Sequence, residues 1–154
     1  MADENIQILT RETFLKCLEN SPGSRLFNSL IVQFKDSGTK KDILGDGEYS
    51  CAFFVSNILY LFGSIPKPVA TVDSLLKVLM KDTRWSLVNN DQIQPGDVVI
   101  WEKIKYDDGS ENAHVGFALT STIAVSTSSK EKMIVQHPIS SRVVQSMHRF
   151  DWSQ

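Results

Sequence analysis

The chain has 154 residues, of which 42% are hydrophobic and 22% charged, with a formal net charge of -2. That suits one soluble domain spanning 1–154 with its own core, and the scattered lysines and arginines leave no basic face for nucleic acid. Met1 to Asn5 is acidic and polar where an export signal needs basic and then apolar residues, and no stretch approaches the ~20 apolar residues of a membrane span. The expectation is therefore a chain without a signal peptide or membrane partner, cytoplasmic or exported by another route. Cys17 and Cys51 are too few for a disulfide framework.

The spacing predicts a first helix capped by Thr10, with Phe14, Leu15 and Leu18 inward and Cys17 packed among them. It stops before Asn20-Ser21-Pro22-Gly23. A second helix is predicted from Ser24 to about Phe34, burying Leu26, Phe27, Leu30, Ile31 and Phe34. Lys35 to Tyr49, polar and glycine-punctuated, reads as a surface loop leading into Cys51-Ala52-Phe53-Phe54-Val55-Ser56-Asn57-Ile58-Leu59-Tyr60-Leu61-Phe62. That apolar run has helical period, Ser50 as its expected N-cap and Gly63 as its stop. Cys51 thus falls in a first helical turn, where free N–H groups and the helix dipole favour a thiolate. A thiol reagent is expected to label it faster than Cys17, with a pH midpoint below the ~8.5 of a free thiol.

Ile65-Pro66-Lys67-Pro68 is expected to be extended, and Thr71 to cap a helix burying Val72, Leu75, Leu76 and Leu79. Trp85 to Asp91 reads as a connector. The period then changes. After a turn at Gln94-Pro95-Gly96-Asp97, fixed by Asp97, Val98 to Trp101 reads as a buried strand. A second turn is expected at Tyr106-Asp107-Asp108-Gly109-Ser110. In Ala113 to Thr120, Val115, Phe117 and Leu119 alternate with His114, Gly116 and Ala118. Ile123 to Ser126, Lys132 to His137 and Arg142 to Met147 add strands, and His148 beside Arg149 reads as surface. Helices first and an antiparallel meander after them predict an α+β fold.

His114 opens its strand on the face away from the bulky residues, and His137 closes a later strand before Pro138. If those strands are neighbours, both imidazoles reach one edge of the sheet, where one can take the proton of Cys51 and the other can hold its tautomer. The same three side chains are a possible zinc set. Their wide spacing and the lack of a fourth ligand argue against a metal, so no cofactor is expected.

Cys51 at its helix start, Ile93-Gln94-Pro95-Gly96-Asp97-Val98-Val99, Ala113-His114-Val115-Gly116-Phe117 and Met133-Ile134-Val135-Gln136-His137-Pro138 together resemble the NlpC family of papain-like cysteine peptidases, mostly bacterial and phage cell-wall hydrolases. The similarity runs from about Tyr49 to Val144. It implies a papain-like domain that cleaves an amide through an acyl-enzyme. Its implied roles are nucleophile for Cys51, general base and acid for His114, orienting residue for His137 and substrate contact for Tyr49. The implied substrate is a peptide or peptidoglycan fragment. Typical members carry Asp-Cys-Ser-Gly, binding a free amino end, where this chain has Ser50-Cys51-Ala52-Phe53. Asp46 and Glu48 are the expected replacements, and a non-catalytic binding module on the same fold is the alternative.

Overall fold

A computed structural model describes residues 5–105 and 109–153. The architecture is α+β. Helix α1 (Thr10–Glu19), a small hairpin of β1 (Ile31–Gln33) and β2 (Lys40–Asp42), and helices α2 (Cys51–Leu61) and α3 (Val72–Lys81) precede all of a six-stranded sheet. Its strands are β3 (Trp85–Leu87), β4 (Val98–Lys105), β5 (Glu111–Ala118), β6 (Ile123–Ser128), β7 (Met133–Pro138) and β8 (Val144–Phe150). Their spatial order is β3-β8-β4-β5-β6-β7, with every pair antiparallel. The expected meander accounts for β4 to β7 only, because β8 returns to the far side of β4. Among the described residues no helix is long and apolar enough to cross a membrane.

Strand β4 is the sheet's spine. Val98, Val99, Ile100 and Trp101 are all fully buried, which explains a continuous apolar run where a half-exposed strand would alternate. Val98 and Ile100 join Val115, Phe117, Phe54 and Ile58 in the core beneath α2. Val99 and Trp101 point the other way, to Ala118, Ala124, Ile139 and Met147. Asp97 fixes the turn before β4 as expected. It accepts the Gln94 N–H at 2.8 Å and takes two bonds from Arg149, each 2.8 Å.

Several expectations fail for physical reasons. No helix forms between Ser24 and Phe34. Phe27 has a left-handed φ of 65°, and Leu26 and Ile31 are 68% and 63% exposed. The backbone of Gly23 and Ser24 bonds instead to Ile134 on the open edge of β7, donating at 2.7 Å and accepting at 2.9 Å. The loop from Lys35 to Tyr49 contains β2, and the connector from Trp85 contains β3. Thr10 lies inside α1 and makes no cap. Ser50 precedes α2 in helical conformation, so its hydroxyl donates back to the Gly47 carbonyl rather than capping. Thr71, in extended conformation, does cap α3 by accepting the Ser74 N–H. His148 is 3% exposed, because β8 runs past it and packs opposite Val98. Of the expected turn from Tyr106 to Ser110, residues 106–108 lie outside those described.

Candidate active site

Cys51 is the first residue of α2. Strands β5 and β6 pair only at Phe117↔Val125 and Ala118↔Ala124, and toward Glu111 they part. The backbone N–H groups of Val115, Ala52 and Cys51 itself favour negative charge on the Cys51 sulfur. A cleft of about 660 Å³ opens over this point, lined among others by Cys51, His114, His137, Tyr49, Glu48 and Arg142.

His114 is the fourth residue of β5, not its first, and lies opposite Trp101. His137 is the penultimate residue of β7, with β6 between the two histidines. The two strands are thus not the neighbours that the sequence reading required, and β6 bridges the imidazoles. Their ring centres are 6.3 Å apart, and Ser126 of β6 joins them, at 2.8 Å from His114 Nε2 and 2.7 Å from His137 Nε2. Sequence reasoning missed Ser126, whose place on the face that Ala124 shares with His137 follows from strand register. It also left Trp101 unplaced. That ring lies 5.5 Å from His114 and 5.2 Å from His137, and its Nε1–H donates to the Ile139 carbonyl at 2.8 Å.

The hydrogen bonds set the tautomers. His137 Nδ1 is 3.0 Å from the Pro138 carbonyl, which only accepts, and 3.0 Å from the Ser141 hydroxyl, which can accept as well as donate; a proton on Nδ1 suits both partners and leaves the lone pair on Nε2. Ser126 then donates to His137, and its oxygen accepts from His114 Nε2–H. The lone pair of His114 is left on Nδ1, the nitrogen that makes no hydrogen bond among the described residues. That is the form a general base needs. No hydrogen bond joins Cys51 to His114 among those residues, so proton transfer requires the two side chains to approach each other.

Electrostatics reverse one expectation. Burial pushes the Cys51 thiol up, outweighing the backbone N–H groups and the Arg142 charge that pull it down. Burial, then Arg142 and His137, hold His114 down at about 3. The resting pair is therefore neutral thiol and neutral imidazole. Burial likewise pushes the Cys17 thiol up. We expect alkylation of Cys51 in the ligand-free protein to follow a pH midpoint above the ordinary 9.0, measured by mass spectrometry of labelled peptides. A midpoint below 8 would show a preformed thiolate.

All three histidines of the sequence are less basic in the fold than free in water, each chiefly through burial. The unfolded chain then binds the extra protons as pH falls below 6.5, so acid weakens the fold by up to about 1.4 kcal/mol per pH unit for each histidine still neutral. The urea midpoint should hold above that pH and fall steadily between 6.5 and 5, above the carboxylate range. A flat midpoint there contradicts the assignment.

Of the acids expected to grip a substrate, Glu48 lines the cleft with Tyr49. Asp46 does not, and instead stands 3.6 Å from Arg25. The turn carrying them is organised by Asp42, whose carboxylate accepts the N–H groups of Leu30, Leu44 and Asp46 and is thereby pulled down to about 2. Among the described residues no group of three His, Cys, Asp or Glu side chains is disposed to hold a metal.

No family model and no curated protein matches the chain.

Proposed function

We propose that the protein is a cysteine hydrolase of papain-like, NlpC type that cleaves an amide bond through an acyl-enzyme, with a peptide or peptidoglycan fragment as substrate. The observation that carries this reading is the cleft that gathers a helix-start cysteine, a histidine and the chain Ser126–His137–Pro138 behind it. Cys51 is the nucleophile. His114 Nδ1 takes its proton as sulfur bonds to the carbonyl carbon, and returns it to the leaving amine as the C–N bond breaks. N–H groups at the open first turn of α2 face the oxyanion, and water then releases the acid. His137 orients His114 through Ser126.

The test is a peptide panel, including peptidoglycan stem peptides, incubated with wild type and with Cys51→Ala. Cleavage and a covalent acyl adduct are expected from wild type alone. Equal behaviour of the two proteins would overturn the reading. A second reading, a non-catalytic binding module, is favoured by the neutral resting pair, which lacks a ready-made thiolate. Peptide binding that survives Cys51→Ala, with no cleavage by wild type, would select it.

A further inference from the structure

We propose that Arg142 is a carboxylate anchor, gripping an acidic group that the substrate carries beside the bond Cys51 attacks. This rests on the hydrolase reading and adds to it a substrate class: amides bearing a carboxylate close to the scissile carbonyl. Arg142 lines the cleft together with Cys51, His114 and His137. It is half-buried, and among the described residues no side-chain hydrogen bond or ion pair engages its guanidinium.

The other charges of the cleft are otherwise disposed. Asp73 and Lys103 are 3.6 Å apart and partner each other. Glu48 belongs to the turn before α2, where its carboxylate lies beside Gly45, and Glu111 opens β5. The five donors of a guanidinium form a planar fork that matches a carboxylate bidentately.

Arg142 also opposes the proposed chemistry when the cleft is empty. Its charge disfavours protonation of His114 and of His137, so proton transfer from Cys51 makes an imidazolium beside an unneutralised cation. A carboxylate on Arg142 cancels that repulsion. Substrate binding and activation of the base are then one event, and a neutral analogue receives neither.

Iodoacetate and iodoacetamide test this without a known substrate. Both place the same two-carbon group on sulfur, the thiol losing its proton and the S–C bond forming as the C–I bond breaks and iodide leaves. They differ in carboxylate against carboxamide. For an ordinary thiolate the anionic reagent is the slower, and Cys17 supplies that baseline within the same molecule.

We expect Cys51 to prefer iodoacetate, saturably, by roughly tenfold relative to the ratio at Cys17, the scale of one charge-assisted bidentate contact. Succinate at constant ionic strength should protect Cys51 and leave Cys17 unaffected. Arg142→Gln should return the Cys51 ratio to that of Cys17, with Arg142→Lys intermediate. A wild-type ratio no higher at Cys51 than at Cys17, or one unmoved in a folded Arg142→Gln, overturns the anchor. Succinate protection reads the same site in wild type if the variant does not fold. Peptide cleavage without carboxylate preference overturns the anchor alone. Preference without any cleavage overturns the hydrolase reading and leaves an anion site.

Discussion

Gly116→Ala should lower the denaturation midpoint sharply and disturb His114 at the same time. A Cβ built at Gly116 falls 2.4 Å from the Val125 carbonyl oxygen and 2.8 Å from the Ser126 Cβ. Backbone cannot move aside as a flexible side chain can, so β5 and β6 must separate at the point where Ser126 reaches His114. Overpacking of this kind costs typically 1–3 kcal/mol, and contact with a carbonyl puts this site at about 3. Gly63→Ala is the comparison: its φ of 72° is strained for alanine, but nothing lies within 4 Å. It should cost only about 1 kcal/mol. Urea titrations of both, with ¹⁵N shifts of the imidazoles, separate the effects. Equal losses, or an undisturbed His114 signal in Gly116→Ala, contradict the argument.

Trp101→Ala should be still more damaging, by roughly 3–5 kcal/mol, because it empties the largest fully buried side chain of the chain. It also removes the surface on which both imidazoles rest. Trp101→Phe keeps an aromatic ring but leaves the Ile139 carbonyl without its indole donor, for about 1–3 kcal/mol. If Trp101→Ala unfolds no more easily than Trp101→Phe, the ring is not packed as described.

Period explains what was legible in the sequence. The α2 stripe, the cap at Thr71, the turn at Asp97 and the alternation around His114 are local signals, and the residues concerned lie where those signals put them. The segment from Ser24 misled because helical spacing of apolar residues says nothing of whether a neighbour exists to cover them. Its backbone found the edge of β7 instead. Ser126 and Trp101 were illegible as site residues for a related reason, since their roles follow from strand order and register. The lowered acidity of Cys51 was likewise invisible: helix position argues one way, and the depth of the cleft, a tertiary property, argues the other.

The hold of Gly23 and Ser24 on β7, reinforced by Asn28 Nδ2 donating to the Lys132 carbonyl, has a consequence for synthesis. Those last two residues are 104 positions apart. A chain emerging from the ribosome makes α2, with its apolar face and Cys51, long before the strands that cover them exist. The sheet itself cannot be sealed until β7 and β8 arrive. Closure across so long a stretch of chain slows folding relative to local contacts, and the nascent thiol spends that interval in the redox environment of its surroundings.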